Sequence, residues 1–229
     1  MSQHYPIIED ALAGFSSLRG FILILRGLVL IVCLFIPWVT CAATLEPISA
    51  EQVLAEINLA RTNPVKYAEF LRELRRQFQG DSYYIPGYSV AIRTIEGPAA
   101  VDEAIDFLTR QKPLPPLIWS AKLAAVAAEL AQEQSKSGAV GHEGGSSGGL
   151  LKRIKRSGIR EKRIGENVAY GAITPRGIVI DLLIDDGVPG RGHRKNQFDR
   201  NFAKAGVSCG IHPRYQTMCV IDFAGAFKE

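Results

Sequence analysis

The sequence predicts an α+β fold, in which helices pack against a mostly antiparallel sheet. Much of the region 49–137 has the apolar spacing of amphipathic helices. Residues 164–171 have the pattern of a strand, and residues 205–211 and 216–223 flank a short loop containing proline, which is typical of a β-hairpin. A mixture of helices and mostly antiparallel strands defines the α+β class.

The composition is that of an ordinary globular protein. The chain has 229 residues, of which 47% are hydrophobic and 22% are charged, and this balance argues against disorder and collagen-like repeats. The net charge of +4 is too small to indicate a nucleic-acid partner, and we expect none.

Residues 1–43 are predicted to be a secretory signal peptide. An uncharged apolar run, Gly27 to Trp38, follows Arg26 and precedes small residues that fit cleavage after Ala42 or Ala43. We therefore expect a mature domain at 44–229, located outside the cell or in a periplasm. The alternatives are a membrane anchor formed by residues 21–38, although a spanning helix needs about 20 apolar residues, and a lipid anchor on Cys41.

Two helices are predicted at the start of the mature domain. The first spans Ser49 to Thr62 with Ser49 as its N-cap, and the second runs from Pro64 to about Phe78. Residues 80–98 are predicted to form a loop, followed by a third helix from Ala99 to Arg110 that a proline-rich segment ends.

The central elements have clearer boundaries. Ser120 is predicted to cap a helix that ends near Ser137 at Gly138, before a glycine–serine loop. A short basic helix is expected at 150–157, a strand at 164–171, and a helix that opens at Thr174-Pro175 and ends at residues 185–187.

Cys209 and Cys219 are predicted to form a disulfide. The two residues are placed symmetrically about Arg214, so a hairpin centred there would set them opposite each other. An oxidising compartment would favour their pairing.

Three short segments carry candidate chemistry: GHEG at 141–144, GENV at 165–168 and GHRKN at 192–196. Two imidazoles with nearby carboxylates could hold zinc with a water, or could act as a general base and its orienting partner. Two unrelated surface histidines are an equally simple interpretation of His142 and His193, because no HExxH helix is present.

Glu166 is the most informative acid, because it shares strand parity with Ile164 and Val168. An acid on an apolar face must be paired or hydrogen-bonded, and its partner is either a basic residue of a site or the backbone of a structural network. Asp181 and Asp185 lie on one face of the following helix, so one of them could join the site.

The segment 152–163 is rich in lysine and arginine. It could bind an anionic polymer or lipid headgroups, but a solvated helix face is the simpler interpretation, because no aromatic residues are interleaved.

Taken together, these segments resemble the CAP superfamily of cysteine-rich secretory and pathogenesis-related proteins, in its bacterial SCP-like branch. The resemblance rests on motifs in order: INLARTNP (57–64), LIWSAKLAAVAAELAQ (117–132), GHEG (141–144), GENVAYG (165–171), GHRKN (192–196), and the closing AGVSCGI and CVIDFAG. It implies an α–β–α sandwich with a central antiparallel sheet. Residues 79–116 depart from the compact family pattern and are interpreted as an insertion.

The resemblance also implies a cleft lined by two histidines and two acids. His142 and His193 match the histidines and are assigned as metal ligands; Glu166 matches the first acid. Asp185 is assigned as the second acid, with Asp186 as the alternative, because Leu182 stands where the family has an aromatic residue. Asn167 and Asn196, within the same motifs, are predicted to contact the ligand.

Three functions are compatible with this pattern. The first is a secreted module that binds zinc or another divalent metal together with an unidentified small ligand, lipid, peptide or glycan. The second is a metal-assisted hydrolase with Glu166 as general base. The third is an envelope interaction protein that uses the basic stretch 152–163. Contact with a membrane is expected only through an uncleaved signal or a lipid anchor.

Overall fold

The computed structural model describes residues 47–84 and 91–228. The predicted signal peptide lies outside these residues. None of the described helices combines the length and the hydropathy needed to cross a membrane.

The first two helices form as the sequence predicts. Helix α1 spans Ala50–Thr62, and the Ser49 hydroxyl accepts a hydrogen bond from the Gln52 backbone N–H. Helix α2 spans Pro64–Arg76 with proline in its first turn, which costs no hydrogen bond there.

Arg61 ties α1 to the rest of the domain. Its guanidinium is buried and donates to the backbone carbonyl oxygens of Pro115, Gln197 and Asp199, at 3.0, 2.7 and 3.2 Å. These contacts join the start of the chain to the segment that leads into the closing hairpin.

The loop predicted at 80–98 is partly wrong, because this region contains a small antiparallel sheet. Strands β1 (Phe78–Gln79), β2 (Ser82–Tyr84) and β3 (Ala91–Arg93) lie in that order. Gly80 has a φ of 62°, so it closes a two-residue hairpin turn rather than ending regular structure. Helix α3, Pro98–Arg110, then follows much as predicted.

A four-stranded sheet forms the centre of the domain. Its strands lie in the order β4 (Ile118–Trp119), β6 (Lys204–His212), β7 (Gln216–Ala224), β5 (Ile164–Tyr170). The β6–β7 and β7–β5 pairs are antiparallel, and the short β4, which the sequence analysis missed, pairs in parallel with β6. This sheet confirms the predicted α+β class.

Helices cover both faces of the sheet. The remaining helices are α4 (Ala121–Ser137), α5 (Leu150–Arg156), α6 (Pro175–Ile184) and α7 (Gly192–Gln197). Alternate residues of β7 face opposite layers: Ile221 and Phe223 pack with residues of α1, α3 and α6, whereas Met218 and Val220 pack with residues of α4. The result is the predicted α–β–α sandwich, and Asp222 has the parity of the α4 side.

Gly206 explains why β6 can lie so close to α4. A Cβ atom at this position would come within 2.0 Å of the Ala124 backbone nitrogen. Only glycine therefore permits this approach of strand to helix.

The predicted disulfide is confirmed. Cys209 and Cys219 are direct cross-strand partners in the β6–β7 hairpin, and they are bonded with a Cα–Cα distance of 4.0 Å.

Reducing this disulfide should lower the free energy of unfolding by about 2–3 kcal/mol, because the bond closes a short loop of the unfolded chain. Urea unfolding with and without a reductant measures the change. A variant with alanine at both Cys209 and Cys219 is the control, since reductant should leave its midpoint unchanged. Equal midpoints for the reduced and oxidised parent chain would contradict the prediction.

Candidate histidine–carboxylate site

The structure brings the two predicted histidines together. The ring centroids of His142 and His193 lie 6.1 Å apart, with the ring planes inclined by 35°. His142 follows α4 in the glycine–serine loop, and His193 lies in the first turn of α7. The histidines are therefore neighbours, and the interpretation as two unrelated surface residues is wrong.

Glu166 holds His142 from the sheet side. Oε1 of Glu166 lies 3.0 Å from Nδ1 of His142, and the Glu166 side chain is 3% exposed against 52% for the histidine. A carboxylate can only accept, so Nδ1 carries the hydrogen, and in the neutral ring the lone pair is on Nε2. The buried acid thus fixes the ring, while the ring itself reaches solvent.

Arg153 is the functional residue that the sequence analysis missed. Its side chain is fully buried, and Nη2 forms an ion pair with Oε2 of Glu166, while Nη1 donates to the carbonyl oxygen of Gly148. The solvated helix face expected for residues 152–163 is therefore wrong at this position. The signal was present in the sequence, because Leu150, Arg153 and Ile154 have the i, i+3, i+4 spacing of an inward helix face.

Asp185 holds His193 in a second, similar pair. Asp185 is the residue that caps the C-terminus of α6, and its φ of 56° is left-handed. Its Oδ1 lies 2.6 Å from Nδ1 of His193, and its Oδ2 accepts from the backbone N–H groups of His193 and Arg194, at 2.9 and 3.4 Å. The carboxylate therefore both caps α7 and orients the histidine ring.

Asp186 contacts a different part of the domain. Its carboxylate accepts hydrogen bonds from the backbone N–H groups of Ile95 and Glu96, at 2.6 and 2.9 Å. The structure thus places Asp185 at the histidine pair, and it places Asp186 against the 79–116 segment.

Asn167 and Asn196 brace the His193 loop. Asn167 is fully buried and donates to the His193 carbonyl oxygen at 3.0 Å, while Asn196 donates to Oδ1 of Asn167 at 2.9 Å. These contacts use the Asn167 amide inside the protein. Contact of either residue with a ligand stays a prediction.

Ion pairs with the 79–116 segment support the same loop. Glu103 of α3 binds Arg191 and Arg194, and Arg191 also donates to the Asp185 carbonyl oxygen at 2.8 Å. The hydrogen bond from Arg191, together with that from Arg194, lowers the pKa of Glu103 to about 2. The carboxylate is therefore charged at neutral pH, and the predicted insertion helps to position His193.

The basic stretch 152–163 is divided between several environments. Arg153 is buried, Arg156 pairs with Glu129, and Arg163 pairs with Asp199. All of the basic residues except Arg153 are exposed, and Lys152, Lys155, Arg160 and Lys162 form no ion pair among the described residues. The expected solvated face is thus wrong for Arg153 alone, since the other basic residues of the segment are exposed. Binding of this segment to an anionic polymer stays a prediction.

Two oriented imidazoles can bind a metal ion or a polar ligand. Within residues 47–84 and 91–228, no group of three or more histidine, cysteine, aspartate or glutamate residues is placed to hold a metal. Any metal here would have two protein ligands, and water or a bound ligand would complete its coordination.

The fold and the site define an α–β–α sandwich with paired histidine–acid contacts at one end of the sheet. The model of the cysteine-rich secretory protein family, CAP, matches residues 54–223 and so spans the whole site. The chain belongs to this family.

Solved structures with some likeness come from three bacteria. An extracellular protein containing an SCP domain from Bacillus anthracis is 21% identical, with 57% of this chain and 38% of that chain covered and a TM-score of 0.42. An outer surface protein from Borrelia burgdorferi is 18% identical (50% and 80% covered, TM-score 0.42), and a cysteine-rich secretory protein from Staphylococcus aureus is 15% identical (69% and 48% covered, TM-score 0.39). The chain thus spans less than half of two of these proteins. No curated protein matches it.

Proposed function

We propose that this chain is an exported CAP-domain binding protein that holds a divalent metal ion, zinc or a similar one, through Nε2 of His142 and of His193. The ion and the surrounding loops would together bind a small ligand, peptide or glycan. The observation that carries the proposal is that a buried carboxylate engages Nδ1 of each ring. This contact fixes the tautomer that leaves Nε2 available to a metal.

The donor set fits such an ion. Zinc–nitrogen bonds are about 2.0–2.1 Å long, so rings with centroids 6.1 Å apart are close enough for one ion to bind both. Two protein ligands leave coordination positions for water and for a ligand, which suits capture of a ligand better than a closed structural site.

The position of Glu166 favours binding over hydrolysis. A general base must reach the proton that it removes, but one oxygen of Glu166 contacts His142 and the other contacts Arg153. The side chain is also 3% exposed. The contacts of Glu166 support a role in orienting His142 rather than in activating a metal-bound water.

Export is part of the proposal. It rests on the signal-like pattern of residues 1–43 and on membership of a family of secretory proteins.

Calorimetric titration of the metal-stripped chain with zinc at neutral pH tests the proposal. We expect one ion per chain at micromolar zinc, and we expect His142→Ala or His193→Ala to abolish binding. Glu143→Gln is the matched control, because Glu143 is an exposed neighbour of His142. If the parent chain binds neither zinc nor copper, or if both histidine variants bind as the parent does, the proposal fails.

A further inference from the structure

Asp222, a buried acid next to Glu166 in the sheet, has no role in the proposed function. Asp222 on β7 is the direct cross-strand partner of Glu166 on β5, so both side chains project from the same face of the sheet, with Cβ atoms about 4.5–5.5 Å apart. Asp222 is fully buried. Its other cross-strand partner is Gly206 on β6, which contributes no side chain.

Asp222 receives no hydrogen bond within the described residues, since neither of its carboxylate oxygens accepts one. The nearby charged groups are Glu166, Arg153 of α5 and Glu129 of α4. Arg153 directs its Nη2 to Glu166 and its Nη1 to backbone carbonyl oxygens. Its buried Nε forms no hydrogen bond in the described part of the chain, so Arg153 neutralises Glu166 without donating to Asp222.

Two facing carboxylates cannot both be charged in such a place without a large cost. A buried charge needs a partner, and two carboxylates that share a site hold a proton between them. Arg153 and the Nδ1–H of His142 both stabilise a negative charge on Glu166. The proton therefore belongs on Asp222.

We propose that Asp222 is a neutral carboxylic acid at physiological pH and a positioning residue that donates a hydrogen bond from its O–H to the carboxylate of Glu166. The Glu166 carboxylate then has three donors: Asp222 from the sheet, Arg153 from α5 and His142 from the glycine–serine loop. This arrangement holds the carboxylate that sets the orientation of His142. The proposal concerns the metal-free chain, so it stands or falls independently of zinc binding.

The direction of the Asp222 pKa agrees with this geometry. Burial, the charge of Glu166 and a hydrogen bond with Glu166 raise the pKa of Asp222 well above its usual value, and Arg153 opposes this shift only in part. The native chain holds a proton here that the unfolded chain releases. The free energy of unfolding should therefore fall as the pH rises from the ordinary aspartate pKa towards the raised one.

Infrared spectroscopy of the full chain in mild detergent tests the protonation. We expect the carbonyl band of a protonated carboxylic acid at neutral pH, and we expect Asp222→Asn to remove it. Asp102→Asn is the control, because Asp102 forms an exposed ion pair with Arg75, and it should leave the band unchanged. Absence of the band in the parent chain, or its survival in Asp222→Asn, overturns the proposal.

Nitrogen NMR of the His142 ring tests the positioning role. In Asp222→Asn the amide still donates to Glu166, so the Nδ1–H tautomer of His142 should persist as in the parent chain. Asp222→Leu is similar in size but cannot donate, and there the tautomer signal should become mixed while the His193 signal is unchanged. If the two variants give the same His142 signal, Asp222 has no positioning role.

Discussion

Replacing Arg153 with methionine should lower the free energy of unfolding by about 3–5 kcal/mol, because it leaves a buried carboxylate without its cation. Arg153 is fully buried against Glu166, whose side chain is 3% exposed. Methionine keeps most of the apolar volume, so the loss would come from the unpaired charge rather than from a cavity. Urea unfolding followed by circular dichroism measures it.

Lys152→Met is the matched control for this prediction. Lys152 is the neighbouring residue on the same helix and is exposed, so its replacement should change stability by less than about 0.5 kcal/mol. If Arg153→Met is as stable as the control, the buried ion pair between Arg153 and Glu166 does not stabilise the fold around His142.

A double variant separates the charge from the packing. Adding Glu166→Gln to Arg153→Met removes the stranded carboxylate, so a large part of the lost stability should return. Orientation of His142 should not return with it, since a glutamine at 166 carries no charge and can turn either end of its amide to Nδ1. Stability and ring orientation would then respond differently to the same pair of changes.

The sequence predicted the regular elements well where local chemistry decides them. Ser120 caps α4 and Gly138 ends it in a left-handed conformation, as expected from residue type alone. The hairpin register followed from the symmetric placement of Cys209 and Cys219, and the structure has them directly opposite. Both features depend on residues close in the chain.

The prediction failed where the deciding contacts are distant in the chain. The spacing of Arg153 with Leu150 and Ile154 indicates an inward face of α5, but that spacing does not identify its partner, Glu166 of β5. Strand β4 is two residues long and exists through its parallel pairing with β6. The role of Asp222 depends on cross-strand register with Glu166, and no local pattern around residue 222 encodes that partner.

The choice between Asp185 and Asp186 as the second acid also depends on contacts that are distant in the chain, and it can be tested. Asp185 and Asp186 are adjacent, and sequence alone left both open. One of them lies 2.6 Å from Nδ1 of His193, whereas the other binds backbone N–H groups of the 79–116 segment. The difference arises because Asp185 is the left-handed residue that ends α6, which turns consecutive side chains towards different neighbours.

Asp185→Asn should therefore weaken zinc binding by about 10- to 100-fold, the usual effect of losing a carboxylate that supports a metal-bound histidine. Asparagine tolerates the left-handed backbone at this position, so the variant tests the charge and its acceptor oxygens rather than the fold of the turn. In the metal-free chain the same variant should lower the free energy of unfolding by about 1–3 kcal/mol, because the N–H groups of His193 and Arg194 lose a charged acceptor.

Asp186→Asn is the matched control for Asp185→Asn, since it removes the same charge one residue away. It should loosen the contact with residues 95 and 96 but leave zinc affinity within about threefold of the parent, because the Asp186 carboxylate accepts from the backbone N–H groups of those two residues. Calorimetric titration of both variants decides between the two acids. A larger loss of affinity in Asp186→Asn than in Asp185→Asn would mean that the 79–116 segment, rather than the Asp185 carboxylate, sets the position of His193.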